Sequence, residues 1–190
     1  MKFNKSIVWS FVLLVVIASL YRIMPGRPLG FAPQIAMAIF AGSIVKDKKW
    51  SFLLPLASMF LSDLLYEVLY QYNVVELKGF YSGQLINYIL FTGLTVFGFF
   101  VKSKKPFSIL VASLAAPTAY FLLSNFMVWI GGGGLFRPKT FDGLIMCYND
   151  ALPFYKGSLM ATVVFSAILF GSYYFYGNNT KVADAQKFVV

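Results

Sequence analysis

The chain has 190 residues, of which 59% are hydrophobic and 12% charged, with a mean hydropathy of +0.72. A soluble domain of this length cannot hide so much apolar surface from water, whereas a bilayer solvates it. Lys and Arg number 16 against 7 Asp and Glu, a formal net charge of +9; because the basic residues fall in short clusters between apolar runs, they read as membrane-topology signals and not as a nucleic-acid footprint.

In chain order the apolar runs predict an all-α polytopic membrane protein, a bundle of about six transmembrane helices over residues 6–23, 29–45, 51–70, 84–101, 107–130 and 158–176. A single transmembrane domain, 1–176, precedes a polar cytoplasmic tail, 177–190. The first run begins with basic residues as a signal peptide does. However, Tyr21, Arg22, Ile23 and Met24 follow it in place of a small-residue cleavage pattern, so it reads as a retained helix. The second run is short and preceded by Pro25, Pro28 and Pro33, which leaves a re-entrant segment as an alternative to a full span.

The long connection 131–157 opens on four glycines without the Lys-Ser/Thr of a phosphate-binding loop, so they predict a hinge. Thr140 is placed to cap a short amphipathic outer helix between the fifth and sixth spans. Phe141, Leu144, Ile145, Tyr148 and Leu152 share one face of it, and Pro153 ends it. Cys147, the single cysteine, excludes an intrachain disulfide and reads as a packing residue.

Orientation follows from the lysines. With the N-terminus inside, the inner segments carry ten basic residues and the outer ones six, and both tight clusters (Lys46, Lys48, Lys49 and Lys102, Lys104, Lys105) fall inside. This places both termini in the cytoplasm, with the chain in the inner membrane of a bacterium.

The inner halves of the predicted helices are nearly featureless, but the outer halves are not. Asp63 and Glu67, four residues apart, share a helix face. Gln34, Gln84, Asn87, Ser124, Asn125 and Trp129 lie at similar depth, with Arg22 and Arg27 at helix ends. Ionisable groups at such depth face a cavity or a partner. A polar cavity open to the outside accounts for the one-sided clustering. The candidate ligand-binding residues are Gln34, Asp63, Glu67, Asn87, Asn125 and Trp129, joined by Tyr148 and Asn149 from the outer connection. Two alternatives stay open: Asp63 pairing with Asn125 or an arginine to hold helices together, or the two carboxylates serving a cation- or proton-coupled carrier.

No catalytic residue, metal site or cofactor is expected. Without histidine there is no Ser-His-Asp triad and no His general base or metal ligand, and no nucleophile motif marks an intramembrane enzyme built on Asp63 and Glu67. Ala32 and Ala36, and Ala38 and Gly42, place small residues one turn apart on the second helix, where another helix could approach closely.

Residues 29–65 run Leu-Gly-Phe-Ala-Pro-Gln, then Ala36-Met-Ala-Ile-Phe-Ala-Gly42, a basic turn, Phe52-Leu-Leu-Pro-Leu-Ala, and Leu61-Ser-Asp-Leu-Leu65. This stretch resembles the second and third helices of the S components of energy-coupling factor transporters. The layout also resembles uncharacterised bacterial six-helix proteins that share an Asn-Phe-x-Val-Trp segment (Asn125–Trp129 here) and a Cys-Tyr…Leu-Pro-Phe segment (Cys147 to Phe154). The resemblance implies capture of a vitamin or similar micronutrient in the outer half of the bundle, under loops that act as a lid. It also implies a membrane coupling subunit with paired ATPases, engaged through small residues. In the family the small-residue contact falls on the first helix, whereas here the pattern falls on the second. The competing expectation is a structural subunit of an envelope complex, its outer loop docked on another protein.

Overall fold

A computed structural model describes the backbone of residues 5–186 except Gly133, and the side chains of residues 9–175 with the same exception. The described residues form helices and connections without strands. The helices are α1 (Lys5–Ile23), α2 (Gln34–Ile44), α3 (Lys48–Gln71, with one irregular residue at Phe52), α4 (Gln84–Phe99, irregular at Leu94), α5 (Pro106–Gly131) and α6 (Phe141–Gln186).

Three of them, α3, α5 and the 141–175 part of α6, are long and apolar enough to cross a membrane. The described part of α1 (Trp9–Ile23), α2 and α4 are shorter apolar helices. Large apolar side chains face outward all round the bundle, among them Leu13, Leu85, Phe100, Phe107 and Ile168. Such a surface belongs in lipid and not in water.

The second apolar run is not a full-length helix. At about 1.5 Å per residue the 11 residues of α2 rise roughly 16 Å, half the thickness of a hydrocarbon core. Nine of those 11 residues are buried, so α2 is the axis of the bundle. Ile35, Ile39 and Phe40 join Leu94, Ala112, Ala116 and Phe170 in one packed cluster; Met37 and Ala41 join Ala18, Val45 and Leu54 in another.

The small residues of α2 make this possible. A Cβ on Gly42 would overlap the Thr95 carbonyl, and one on Gly98 of α4 would overlap the Ile39 carbonyl. The backbones touch because neither residue has a side chain. This corrects the expected partner surface: Ala36, Ala38 and Gly42 are buried against the chain's own helices, and half-buried Ala32 lines a cavity described below.

The separate amphipathic outer helix is also corrected. Pro153 lies inside α6, which runs unbroken from Phe141 into the last apolar run. Proline removes one helical hydrogen bond and is tolerated where neighbouring protein packs against the helix. Here a Cβ on Gly157 would overlap the Leu29 carbonyl, one on Gly30 would overlap that of Phe154, and Ser158 Oγ donates to the Gly30 carbonyl at 3.1 Å. The connection ahead of α2 is thereby seated on the Pro153 segment. The outer connection shrinks to the stretch from Gly132, whose left-handed φ of +73° caps α5, to Thr140. In the expected tail, 177–190, the backbone continues α6 to Gln186, and the side chains lie outside the described residues.

Candidate ligand-binding site

The polar residues gather at one end of the bundle, and two networks there brace helices together. Asp63 of α3, 2% exposed, receives the Arg22 guanidinium of α1 on one carboxylate oxygen. Its other oxygen accepts from Gln84 Nε2 at 2.7 Å and Tyr88 OH at 2.8 Å, both on α4. Arg22 Nη1 also donates to Ser62 Oγ, and Tyr66 OH donates to the Arg22 carbonyl at 2.8 Å. A buried carboxylate requires such a set of donors.

Glu67, one turn further on, works separately. Its Oε2 accepts from the backbone amides of Gly79 at 3.2 Å and Phe80 at 3.4 Å, which pins the α3–α4 loop. The two carboxylates therefore share a helix face but not a ligand. Among the described residues no three His, Cys, Asp or Glu side chains group as metal ligands.

Beside this brace lies a cavity of about 720 Å³ to which all six helices contribute. That volume is in the range of small-molecule sites. One wall is aromatic: Phe91, Tyr120, Phe121, Phe154 and Tyr155, with Phe121 and Tyr155 stacked at 4.6 Å between centroids. The polar wall holds Arg22, Arg27, Gln34, Asn87, Asn125 and Ser158, and Gly134 and Leu135 of the α5–α6 connection reach its rim.

The charges around it do not cancel. Arg22 is neutralised by Asp63, and Asp150 is held by Arg137 through two bonds of 2.8 and 2.9 Å. Outside the helices, the Asp150 hydrogen bond holds the Arg137 guanidinium above its ordinary pKa. Arg27 donates only to the carbonyls of Arg22 (3.2 Å) and Phe31 (2.8 Å), and no described carboxylate pairs with it. One positive charge is left over, in a half-buried place where anions gain from it. Gln34 adds an acceptor. Its Nε2 makes long contacts to the Ala18 carbonyl (3.4 Å) and Ser58 Oγ (3.5 Å), while its Oε1, buried in the cavity wall, accepts nothing from the protein. Buried oxygens of this kind are rare.

Of the residues expected from the sequence, Gln34, Asn87 and Asn125 line the cavity. Asn87 is held by Tyr120 OH on one side, and its Nδ2 donates to Tyr81 OH at 3.0 Å on the other; burial pushes the Tyr81 hydroxyl's pKa up against the effect of that bond. Asn125 Nδ2 donates to the Phe121 carbonyl of its own helix at 2.7 Å. Asp63 and Glu67 stand behind the wall and act through the groups they hold. Trp129 Nε1 donates to the Pro138 carbonyl at 2.8 Å and ties the connection to α5, and Tyr148 OH donates to the Leu122 carbonyl at 3.0 Å and ties α6 to α5; neither lines the cavity. Asn149 is exposed and also outside it. The candidate list left out Arg22 and Arg27, although both were read at that level, and much of the aromatic wall, including Tyr120 and Tyr155. A tyrosine in the middle of an apolar run, away from the helix ends where an interfacial belt sits, was the available signal for Tyr120; Tyr155 fell in the stretch read as the outer connection.

Comparison with protein families matches residues 2–185 to a family of unknown function, DUF6580. The chain belongs to that family. The DUF6580 match spans α1 to α5 and α6 up to residue 185, so every residue lining the cavity lies within it. No curated protein and no solved structure matches the chain.

Proposed function

We propose that this DUF6580 protein is a multi-pass protein of the cytoplasmic membrane that takes up a small amphipathic molecule, a vitamin or similar micronutrient, from the outer side. Both chain ends lie in the cytoplasm in this reading, with the lysine clusters inside and the polar end of the bundle outside. The chain passes six times between the two faces, α2 doing so only within the protein. The observation that carries the reading is the cavity with contributions from all six helices, lined by Gln34 with its unpartnered Oε1, by the uncompensated Arg27 and by an aromatic wall.

The chemistry of the walls describes the ligand. An anionic or carbonyl-rich group sits toward Arg27, a donor reaches Gln34 Oε1, and a flat apolar part lies along Phe121 and Tyr155. Both carboxylates of the Asp63–Glu67 pair are taken up by protein donors, which favours a binding role over cation or proton coupling at that pair. A coupling subunit of the kind used by the S components would need a surface other than α2, whose small residues are buried.

Native mass spectrometry of the gently solubilised protein tests the reading. A small molecule that co-purifies with the wild type and is lost in both Arg27→Gln and Gln34→Leu supports it. A wild-type protein that emerges empty in company with a stoichiometric partner protein overturns it in favour of a structural subunit.

A further inference from the structure

We propose that a second cavity, at the lysine-rich end between α5 and α6, is the release side of the same ligand path, so that this chain carries its ligand across the membrane along the α5–α6 seam. The proposal rests on the reading of the first cavity as the outer ligand site.

The second cavity measures about 450 Å³. Ser103 and Lys104 stand at its mouth, and Ser113 of α5 and Ser166 of α6 line its depth. Both hydroxyls belong to residues only 1% exposed, and neither has a hydrogen-bond partner. A serine inside a helix ordinarily bonds back to the carbonyl one turn earlier. Two that do not, on residues that line one cavity from two helices, are unspent bonding groups beside that space.

The two cavities lie in line. On α5, Pro117 lines the outer cavity and Ser113 the inner one, four residues or about 6 Å apart along the axis. Pro117 has no N–H, so the Ser113 carbonyl loses its ordinary helical donor at the same level. On α6, Ser158 lines the outer cavity and Ser166 the inner one, with fully buried Thr162 midway. These three residues, spaced by four, follow one face of the helix and make a line of hydroxyls from one cavity to the next. Thr162 Oγ1 donates to the Ser158 carbonyl at 2.6 Å, which leaves its oxygen free to accept.

On α5 and α6 the buried residues between the two linings include the small Ala116 and Ala161, beside Pro117 and Thr162. A proline-interrupted helix is where two halves can tilt against each other, and the interruption falls among these residues. Lys104 at the inner mouth offers the anionic group of the ligand the same attraction that Arg27 offers at the outer end.

The test places a thiol in the inner cavity of the full-length protein by Ser166→Cys. The native Cys147, which lines the outer cavity, is retained as the outer reporter. Right-side-out and inside-out vesicles are treated with a small membrane-impermeant methanethiosulfonate, and the two thiol peptides are followed by mass spectrometry. Modification of Cys147 from the outside and of the S166C thiol from both sides, at least several-fold slower from the outside, is the expected result. Modification of S166C from the cytoplasmic side alone, with Cys147 reacting normally from the outside, overturns the path and leaves a separate inner pocket such as a seat for a lipid. An S166C thiol that reacts from neither side overturns it as well. Should S166C react from both sides while the co-purifying molecule is indifferent to Arg27→Gln and Gln34→Leu, the ligand assignment fails and the path stands.

Discussion

Arg22 and Asp63 form an ion pair between α1 and α3 in which the aspartate side chain is 3% exposed and the arginine side chain 19%. The aspartate needs its partner far more than the partner needs it, because Arg22 still borders the cavity while Asp63 is almost wholly buried. Removing one member of a buried pair costs about 3–5 kcal/mol, whereas removing both is often neutral. Arg22→Met should therefore lower the thermal midpoint of the solubilised protein markedly, and Arg22→Met with Asp63→Leu should recover most of it. A double variant no better than the single one would show that the pair does not act as a unit.

Gln34 and Arg27 separate ligand contacts from structural ones. The bonds that Gln34 makes to the protein are long, so Gln34→Leu should leave thermal stability within about 1 kcal/mol of wild type. The same change removes the free acceptor, and occupancy by the co-purifying molecule should fall about tenfold, as expected for one lost hydrogen bond in a dry site. Arg27→Gln should do the same, with a loss that grows smaller as salt is raised if the group it meets is anionic. Occupancy is read by native mass spectrometry over a dilution series.

Gly98 has a different weakness. Its approach to α2 leaves no room for a methyl group, since the atom that would be struck is the backbone carbonyl of Ile39. Gly98→Ala should separate α2 from α4 and lower the melting temperature by several degrees, although alanine is the better helix former. Gly93→Ala, on the same helix with nothing within reach of the new Cβ, is the control and should be neutral or mildly stabilising. Equal behaviour of the two would argue against backbone contact at Gly98.

Pro117 ties stability to passage. Pro117→Ala restores the missing N–H to the Ser113 carbonyl and should raise thermal stability by on the order of 1 kcal/mol. In the Ser166→Cys background it should slow modification from the outer side while leaving the cytoplasmic side unchanged. A gain in stability with no change in outer-side access would confine Pro117 to a local role in the helix.

The carboxylates and the second apolar run show how far sequence reasoning reaches. Asp63 and Gln34 were both legible as polar groups at one level of a bundle, since an apolar run makes any polar residue in it conspicuous. Which of them faces a ligand was not legible, because that depends on donors supplied from elsewhere: Arg22 is 41 positions from Asp63. The spacing of Asp63 and Glu67 put both on one face, but the α3–α4 loop folds back to claim Glu67 alone. Ala36, Ala38 and Gly42 announced a close helix contact correctly in kind, and the contact proved to be internal.

The sequence by itself determined the helical class, the order of the elements, the apolar exterior and the concentration of polar residues at one end. These follow from local sums of hydropathy and from helical spacing, which need only neighbours along the chain. Tertiary structure alone decided that α2 is a buried half-length axis, that Pro153 is carried inside α6, that Asp63 belongs to Arg22, and that Arg27 and Gln34 Oε1 are left over in the cavity. Each of these depends on which faces of distant helices meet, and a run of apolar residues looks the same whether lipid or protein lies against it.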